Sequence, residues 1–451
     1  MVNSTTQLSA VIAMNRFGLG AKPGEINLAK LDAKKWLKST LTHISYDPSL
    51  PGSEAVIAEL IQYRKMKRKA KSAPDKEQEM SMKNAKNSPR NLARTLIVDS
   101  LRQAVASDNS ISWRLLDFFS NHFSVSDAGQ VMAGLAPTLE REAIAPHLLG
   151  KFENMLLAVV QHPAMLIYLN NEQSFGPNSK LGRKRNKGMN ENLAREILEL
   201  HTLGVNGGYS QADVIELAKG ITGWTVQTNE KSSNHGFHFN ANGHEPGKRS
   251  LLGKTYPQKG RLQGEHMLRD VANHPNTAKY ICLKLAQHFI SDSPEPSLLA
   301  KLEKVWLTSQ GDIKLVMHAL IDAEEAWQPA QEKFKTPREF VISTLRALNI
   351  GHIKDRYLLF SLTSLGQKPF NAGSPAGFGD EKNDWNGASA LMARIDWANA
   401  ISTMSKVNAE QVMKNSFADT LSKTSYQTIT RAESRKQALT LLLMSPEFQR
   451  R

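Results

Sequence analysis

The sequence predicts a mainly α protein. It would be a large, bundle-like array of helices with a short β-hairpin or extended loop around residues 225–260 and a long irregular loop at 366–386. Three observations carry this. Apolar residues recur three and four apart along most of the 451-residue chain. The ends of these runs carry helix start and stop residues. Strand-like alternation is confined to Phe237-His238-Phe239. A hydrophobic content of 40% and a charged content of 22% are ordinary for a globular chain of a length that buries a large core.

In chain order, the helical period runs through 27–42, 92–107, 111–123, 139–147, 151–160, 190–203 and 211–220. It resumes at 276–290, 297–309, 312–325, 336–349, 387–405, 408–415 and 433–444. Thr336-Pro337-Arg338-Glu339 reads as a capping box with proline at the first helical position. Ser210 to Asp213 is the acidic form of the same start, and Gly204 and Gly223 follow helical runs where glycine takes the left-handed cap. The whole chain, 1–451, reads as one large helical domain. Residues 64–90 read as a basic mobile insertion and 225–260 as a non-helical one. Between Gly366 and Asn386, glycines and two prolines break any helical period, and loops of that length are commonly functional.

The formal net charge is +14. Residues 64–86 carry nine Lys/Arg against three acids, and 180–187 add five more basic residues. Eleven of the fourteen charges therefore sit in two short polar stretches. These read as solvated basic loops rather than a nucleic-acid surface, so nucleic acid is not the expected partner. Anionic-polymer binding through them is a further alternative. The single cysteine, Cys282, excludes an internal disulfide framework and a cysteine-rich zinc site. No secretory signal pattern opens the chain and no stretch is apolar enough to span a bilayer. The default expectation is the cytoplasm, with the periplasm or envelope as the alternative if a signal was removed or a partner carries one.

Residues 190–204, NENLAREILELHTLG, hold the densest polar chemistry. On a wheel of about 100° per residue, Leu193, Ile197, Leu200 and Gly204 form the buried stripe. Asn192, Glu196 and Glu199 share one edge of it, and His201 falls on the opposite shoulder. The edge reads either as the wall of a polar pocket with carboxylate bases or acceptors, or as a surface ladder of Glu191, Arg195 and Glu199; pattern alone favours the ladder. In WRLLDFFSNHF, His122 shares a face with Leu115 and Phe118, so a core histidine satisfied by a carbonyl or carboxylate is the plainer expectation. His235, His238 and His244 lie within ten residues, but in a Gly/Asn-rich loop such histidines are usually solvated, and no metal is assigned. No phosphate loop, nucleophile elbow or dinucleotide fingerprint occurs, so no nucleotide cofactor is expected.

Taken together, several motifs resemble the bacterial family catalogued as domain of unknown function 1800. They are Asn15 to Gly20, Asn121-His122-Phe123, residues 190–224, His244-Glu245 with Gly253, HPNTAKYICLKLAQHF at 274–289, and the segment from Trp385 to Arg394. The resemblance covers nearly the whole chain. Two departures stand out. Phe119 and Ser120 occupy places where the family usually has Trp-His, and Glu245 stands where it usually has Asp. The resemblance implies a large helical protein without an established activity, often encoded beside a sulfatase-like family, domain of unknown function 1501. The expected function is therefore a helical accessory or binding protein with a polar pocket, acting with such a partner. The rival is a hydrolase, metal-assisted or not. Its candidate catalytic residues are His122, Glu196, Glu199 and His244. The candidate binding residues are Asn121, Asn192, Arg195, Glu245, Trp385 and Arg394.

Overall fold

A computed structural model describes residues 4–70, 76–185, 188–230, 232 and 234–451 of the chain. The protein is mainly α: 63% is helical, and the described strands form only two small antiparallel sheets. In the first, Trp224–Val226 pairs with Phe237–Phe239; in the second, Arg249–Leu251 pairs with Lys254–Tyr256. The expected non-helical stretch is thus two hairpin-like ribbons. Phe237-His238-Phe239 pairs backward to Trp224 rather than forward past Asn242-Gly243.

Local signals set the helix ends. The Pro337–Ala347 helix starts with its capping box closed: Thr336 accepts from the Glu339 amide and Glu339 answers the Thr336 amide. Ser210 and Asp213 close the same box on Gln211–Gly220. The run 27–42 is two helices, Glu25–Ala29 and Ala33–Thr40, because the Asp32 side chain caps the Lys35 amide and restarts the turn. The described part of the basic stretch lies on Ser53–Ala70 and Lys76–Ala106, a helical pair that packs together and against Gly129–Leu139. Lys65 and Arg68 are ion-paired to Glu230. The basic side chains at 69–86 and 185–187 lie outside the described residues.

Most of the buried apolar residues form one contiguous core from Ala10 to Phe448. Buried arginines tie the beginning of the chain to the segment 326–346. Arg16 donates to the Ala326 and Gln328 carbonyls, and Arg346 to those of Gly20, Ala104 and Val105 and to the Glu25 carboxylate. Each guanidinium has several fixed donors, so one buried side chain can satisfy carbonyls from two or three segments.

Three π-helical segments occur among the described residues: Ala13–Phe17, Glu140–Ile144 and Ile197–Thr202. A π turn holds an extra residue, so it rotates every later side chain around the axis. This corrects the wheel drawn for 190–204. Past Glu196 the α period fails: Leu198 and His201 are buried, and Leu200 is only half-buried. His201 therefore points into the core.

Candidate functional site

The Ser110–His122 helix is apolar enough to cross the core, yet it carries buried Arg114 and partly buried Asp117. Both are answered from the Pro337–Ala347 helix. Arg114 donates to Glu339 at 2.6 Å, and Asp117 accepts from Arg338 Nε at 2.8 Å. Arg451 lies 3.0 Å from the same Glu339 oxygen. Burial would raise the Glu339 carboxyl, but Arg451 and Arg114 more than offset it and hold it well below the usual carboxylate range. Asp117 goes the other way: burial pushes it up to about 6 despite Arg338 beside it. A carboxyl poised there on a cavity wall is the kind of group that functional sites use.

The cavity beside Asp117 has a volume of about 110 Å³. Leu96, Ile97, Leu362, Pro369 and Phe370 make its apolar side. Its polar side is Asp117, Ser120, Glu140, His288, Arg338 and Asp380. Glu140 is held by three hydroxyls, those of Tyr46, Ser100 and Ser120. His288 donates from Nδ1 to Asp380 at 3.0 Å. Burial keeps this imidazole below its ordinary pKa even with Asp380 opposing, so it is neutral at pH 7, with a lone pair on Nε2. Three wall residues carry a buried atom without a hydrogen-bond partner: Asp117 Oδ2, Arg338 Nη2 and His288 Nε2.

The irregular 366–386 loop closes this cavity. Asn121 clamps it, donating to the Phe378 carbonyl and accepting from the Phe378 amide at 2.9 and 2.8 Å. Gly377 is required beside the clamp: its φ is +84°, and a Cβ there would lie 2.5 Å from the Asn121 carbonyl oxygen. A second tie runs from Asp127 to the Phe370 carbonyl and the Asn371 amide group. Trp385 is buried at the end of the loop and donates to the Gly379 carbonyl.

A second cavity, of about 220 Å³, shares Asn121, His288, Phe378 and Asp380 with the first and adds His122 and Lys284. His122 is buried and donates from Nε2 to the His201 carbonyl at 3.0 Å. Its Nδ1 therefore carries the lone pair, which faces Lys284 Nζ at 3.3 Å. Burial and the neighbouring ammonium keep His122 well below the usual histidine range.

The remaining candidates lie elsewhere. Glu196 is half-buried and raised by burial and by Glu199 beside it; Glu199 accepts from Tyr209 at 3.4 Å. Arg195 reaches Glu191 and Gln211, so the ladder is made by its first pair and diverted at Glu199. Asn192 is exposed. His244 bonds to Thr222 through Nδ1, and buried Glu245 accepts from both nitrogens of Asn178, pinning the 174–178 turn. Arg394 is buried against Phe334 and Phe340 and donates to the Lys335 carbonyl. His122, Glu196 and His244 share no hydrogen bond, ion pair or ring contact among the described residues. No group of three or more His, Cys, Asp or Glu that could hold a metal occurs among them either.

Of the sequence candidates, the structure brings together Asn121 and His122. It adds Asp117, Arg338, His288 and Asp380, which sequence reasoning missed. The available signal was an acid and a base inside the apolar run 113–119; His288 lay in the quoted 274–289 motif without being singled out. No curated protein and no solved structure matches the chain. A family model described as protein of unknown function (DUF1800) matches residues 12–450, and the chain belongs to that family.

Proposed function

We propose that the protein is a helical binding protein whose cleft takes a small organic molecule with an apolar body and one polar, hydrogen-bonding end. The observation that carries this is the cavity wall. Its lining combines apolar Leu96, Ile97 and Phe370 with Asp117, Arg338 and His288, each of which carries a buried polar atom without a hydrogen-bond partner. Buried polar atoms in a folded protein are nearly always satisfied. A ligand with both a donor and an acceptor, such as a carboxamide, would satisfy Asp117 and Arg338 together. At about 110 Å³ the cavity is smaller than the roughly 150 Å³ that takes benzene, which limits the ligand to a very small molecule. The reading is tested by ligand-observed NMR with isobutyramide on the full chain and on Ser120→Trp, which fills the cavity. Binding to the first and not the second supports it; binding unchanged by Ser120→Trp, or none to either, overturns it.

The family resemblance supports a second part of the proposal, a sulfatase-like partner. Co-purification under gentle lysis should recover it, and a clean monomer with no crosslinked partner counts against it. A hydrolytic use of the same cleft is favoured by one contact, the 3.0 Å His288–Asp380 bond that leaves Nε2 as a lone-pair base. Ester turnover lost in His288→Gln supports that use; turnover unchanged in that variant contradicts it.

A further inference from the structure

We propose that Lys284 is a nucleophilic lysine that captures an aldehyde or ketone as an imine in the cavity beside His122. The inference is independent of what fills the first cavity.

Lys284 lies on the Pro275–Phe289 helix one turn before His288, so the two side chains share an edge that faces the second cavity. Its hydrogen-bond partner is the Nδ1 lone pair of a neutral imidazole. The ring is fixed in that tautomer because the opposite nitrogen donates to the His201 carbonyl. The other described lysine of the same wall, Lys333, shows the contrast. It is paired to Asp292 at 2.6 Å and donates to the Asp380 carbonyl. No carboxylate oxygen lies within ion-pair distance of Lys284 Nζ among the described residues.

An ammonium without a carboxylate partner in a poorly hydrated wall loses its proton easily. Burial brings Lys284 down to about 8, against a smaller opposing pull from Asp380. The groups around it do not reverse this. His122 and His201 are kept neutral by burial, and Tyr280, whose ring lies 5.5 Å from Nζ, is held as the phenol. Asp380, Asp292, Glu381 and Lys333 complete the charged lining.

The chemistry follows from the free amine. The nitrogen lone pair attacks the carbonyl carbon and forms the C–N bond, while the carbonyl π pair moves to oxygen, which takes up the first proton released from nitrogen. The carbinolamine's C–O bond then breaks, the hydroxyl leaving as water with the second nitrogen proton as the nitrogen lone pair closes the C=N bond. Each imine releases one water and nothing is oxidised or reduced.

The test is site-resolved reductive trapping. The full chain is incubated with pyruvate and sodium cyanoborohydride, and adducts are mapped by peptide mass spectrometry across pH. An amine titrating near 8 has about a two-hundredfold larger neutral fraction at pH 7.5 than an ordinary lysine near 10.4. Lys284 should therefore label at least about tenfold faster than exposed Lys304, with its rate half-maximal near pH 8. Lys284→Arg should show no adduct on that peptide, and His122→Phe, which removes the acceptor of the ammonium, should move the half-maximal pH of Lys284 labelling down, not up. Labelling of Lys284 no faster than Lys304, or with the same pH profile, overturns the proposal. Isobutyramide binding that persists without a Lys284 adduct sinks this inference and leaves the binding reading standing.

Discussion

Replacing Glu339 by glutamine should unsettle the protein far more than its single lost charge suggests. The side chain is nearly isosteric, and a glutamine can still close the capping box with Thr336. What changes is the charge facing Arg114 and Arg451, both about 1% exposed. Their contacts to Glu339 are 2.6 and 3.0 Å. Removing one partner of a buried ion pair leaves an uncompensated charge and costs about 3–5 kcal/mol. Unfolding entropy near the midpoint is about 2.1 cal/mol/K per residue, which over 451 residues is about 0.95 kcal/mol/K. The expected loss in Tm is therefore about 3–5 °C by calorimetry at pH 7. The comparison is Glu324→Gln, which breaks an ion pair to Lys34 whose carboxylate is 84% exposed; such pairs contribute at most about 1 kcal/mol, or about 1 °C. The sign with pH follows from the depressed folded pKa of Glu339. Its stabilisation is present above the unfolded carboxyl pKa of about 4.3 and is lost as pH falls below it. The gap between wild type and Glu339→Gln should therefore shrink in acid. A shift under about 1 °C at pH 7, equal to that of Glu324→Gln, would refute the reasoning.

Other variants probe the parts around the cleft. Gly204 has φ +86° and a Cβ there would sit 2.8 Å from the Tyr280 ring; Gly204→Ala should cost about 1–3 kcal/mol, read as a lowered midpoint in urea, and an unchanged midpoint would contradict the close packing. Asn121→Ala removes both bonds to Phe378, each worth about 1 kcal/mol. Hydrogen exchange should then rise within 366–386 and not in the Pro337–Ala347 helix; unchanged exchange in the loop would show that Asn121 is not its clamp. Cys282 is fully buried and burial pushes its thiol well above the ordinary range, so iodoacetamide should label it only as fast as the chain unfolds. Labelling at the rate of a free thiol in the native protein would rule that out.

Much of the fold was legible because its signals are local. Thr336 and Glu339 lie three residues apart, as do Ser210 and Asp213, and both boxes close as the spacing demands. The 366–386 loop was legible from its glycines and prolines, though not the reason it is held. The wheel for 190–204 misplaced Leu200 because a π turn leaves no mark in an apolar period. The cleft was hidden for a different reason. Asp117 meets Arg338 across 221 positions, and His288 meets Asp380 across 92. No spacing rule links residues so far apart; only the packing of the three helices and the loop does. His122 was visible as a histidine aimed at the core, but its partners came from the His201 carbonyl and Lys284, not from Glu196.

The account turns on the first cavity being a ligand site rather than a structural void. A crystal structure of the full chain soaked with isobutyramide tests this most directly. The expected density lies between Phe370 and the Asp117–Arg338 pair, with the amide nitrogen donating to Asp117 Oδ2 and the amide oxygen accepting from Arg338 Nη2. A cavity holding no density, with the ligand at the surface or absent at millimolar concentration, would contradict it.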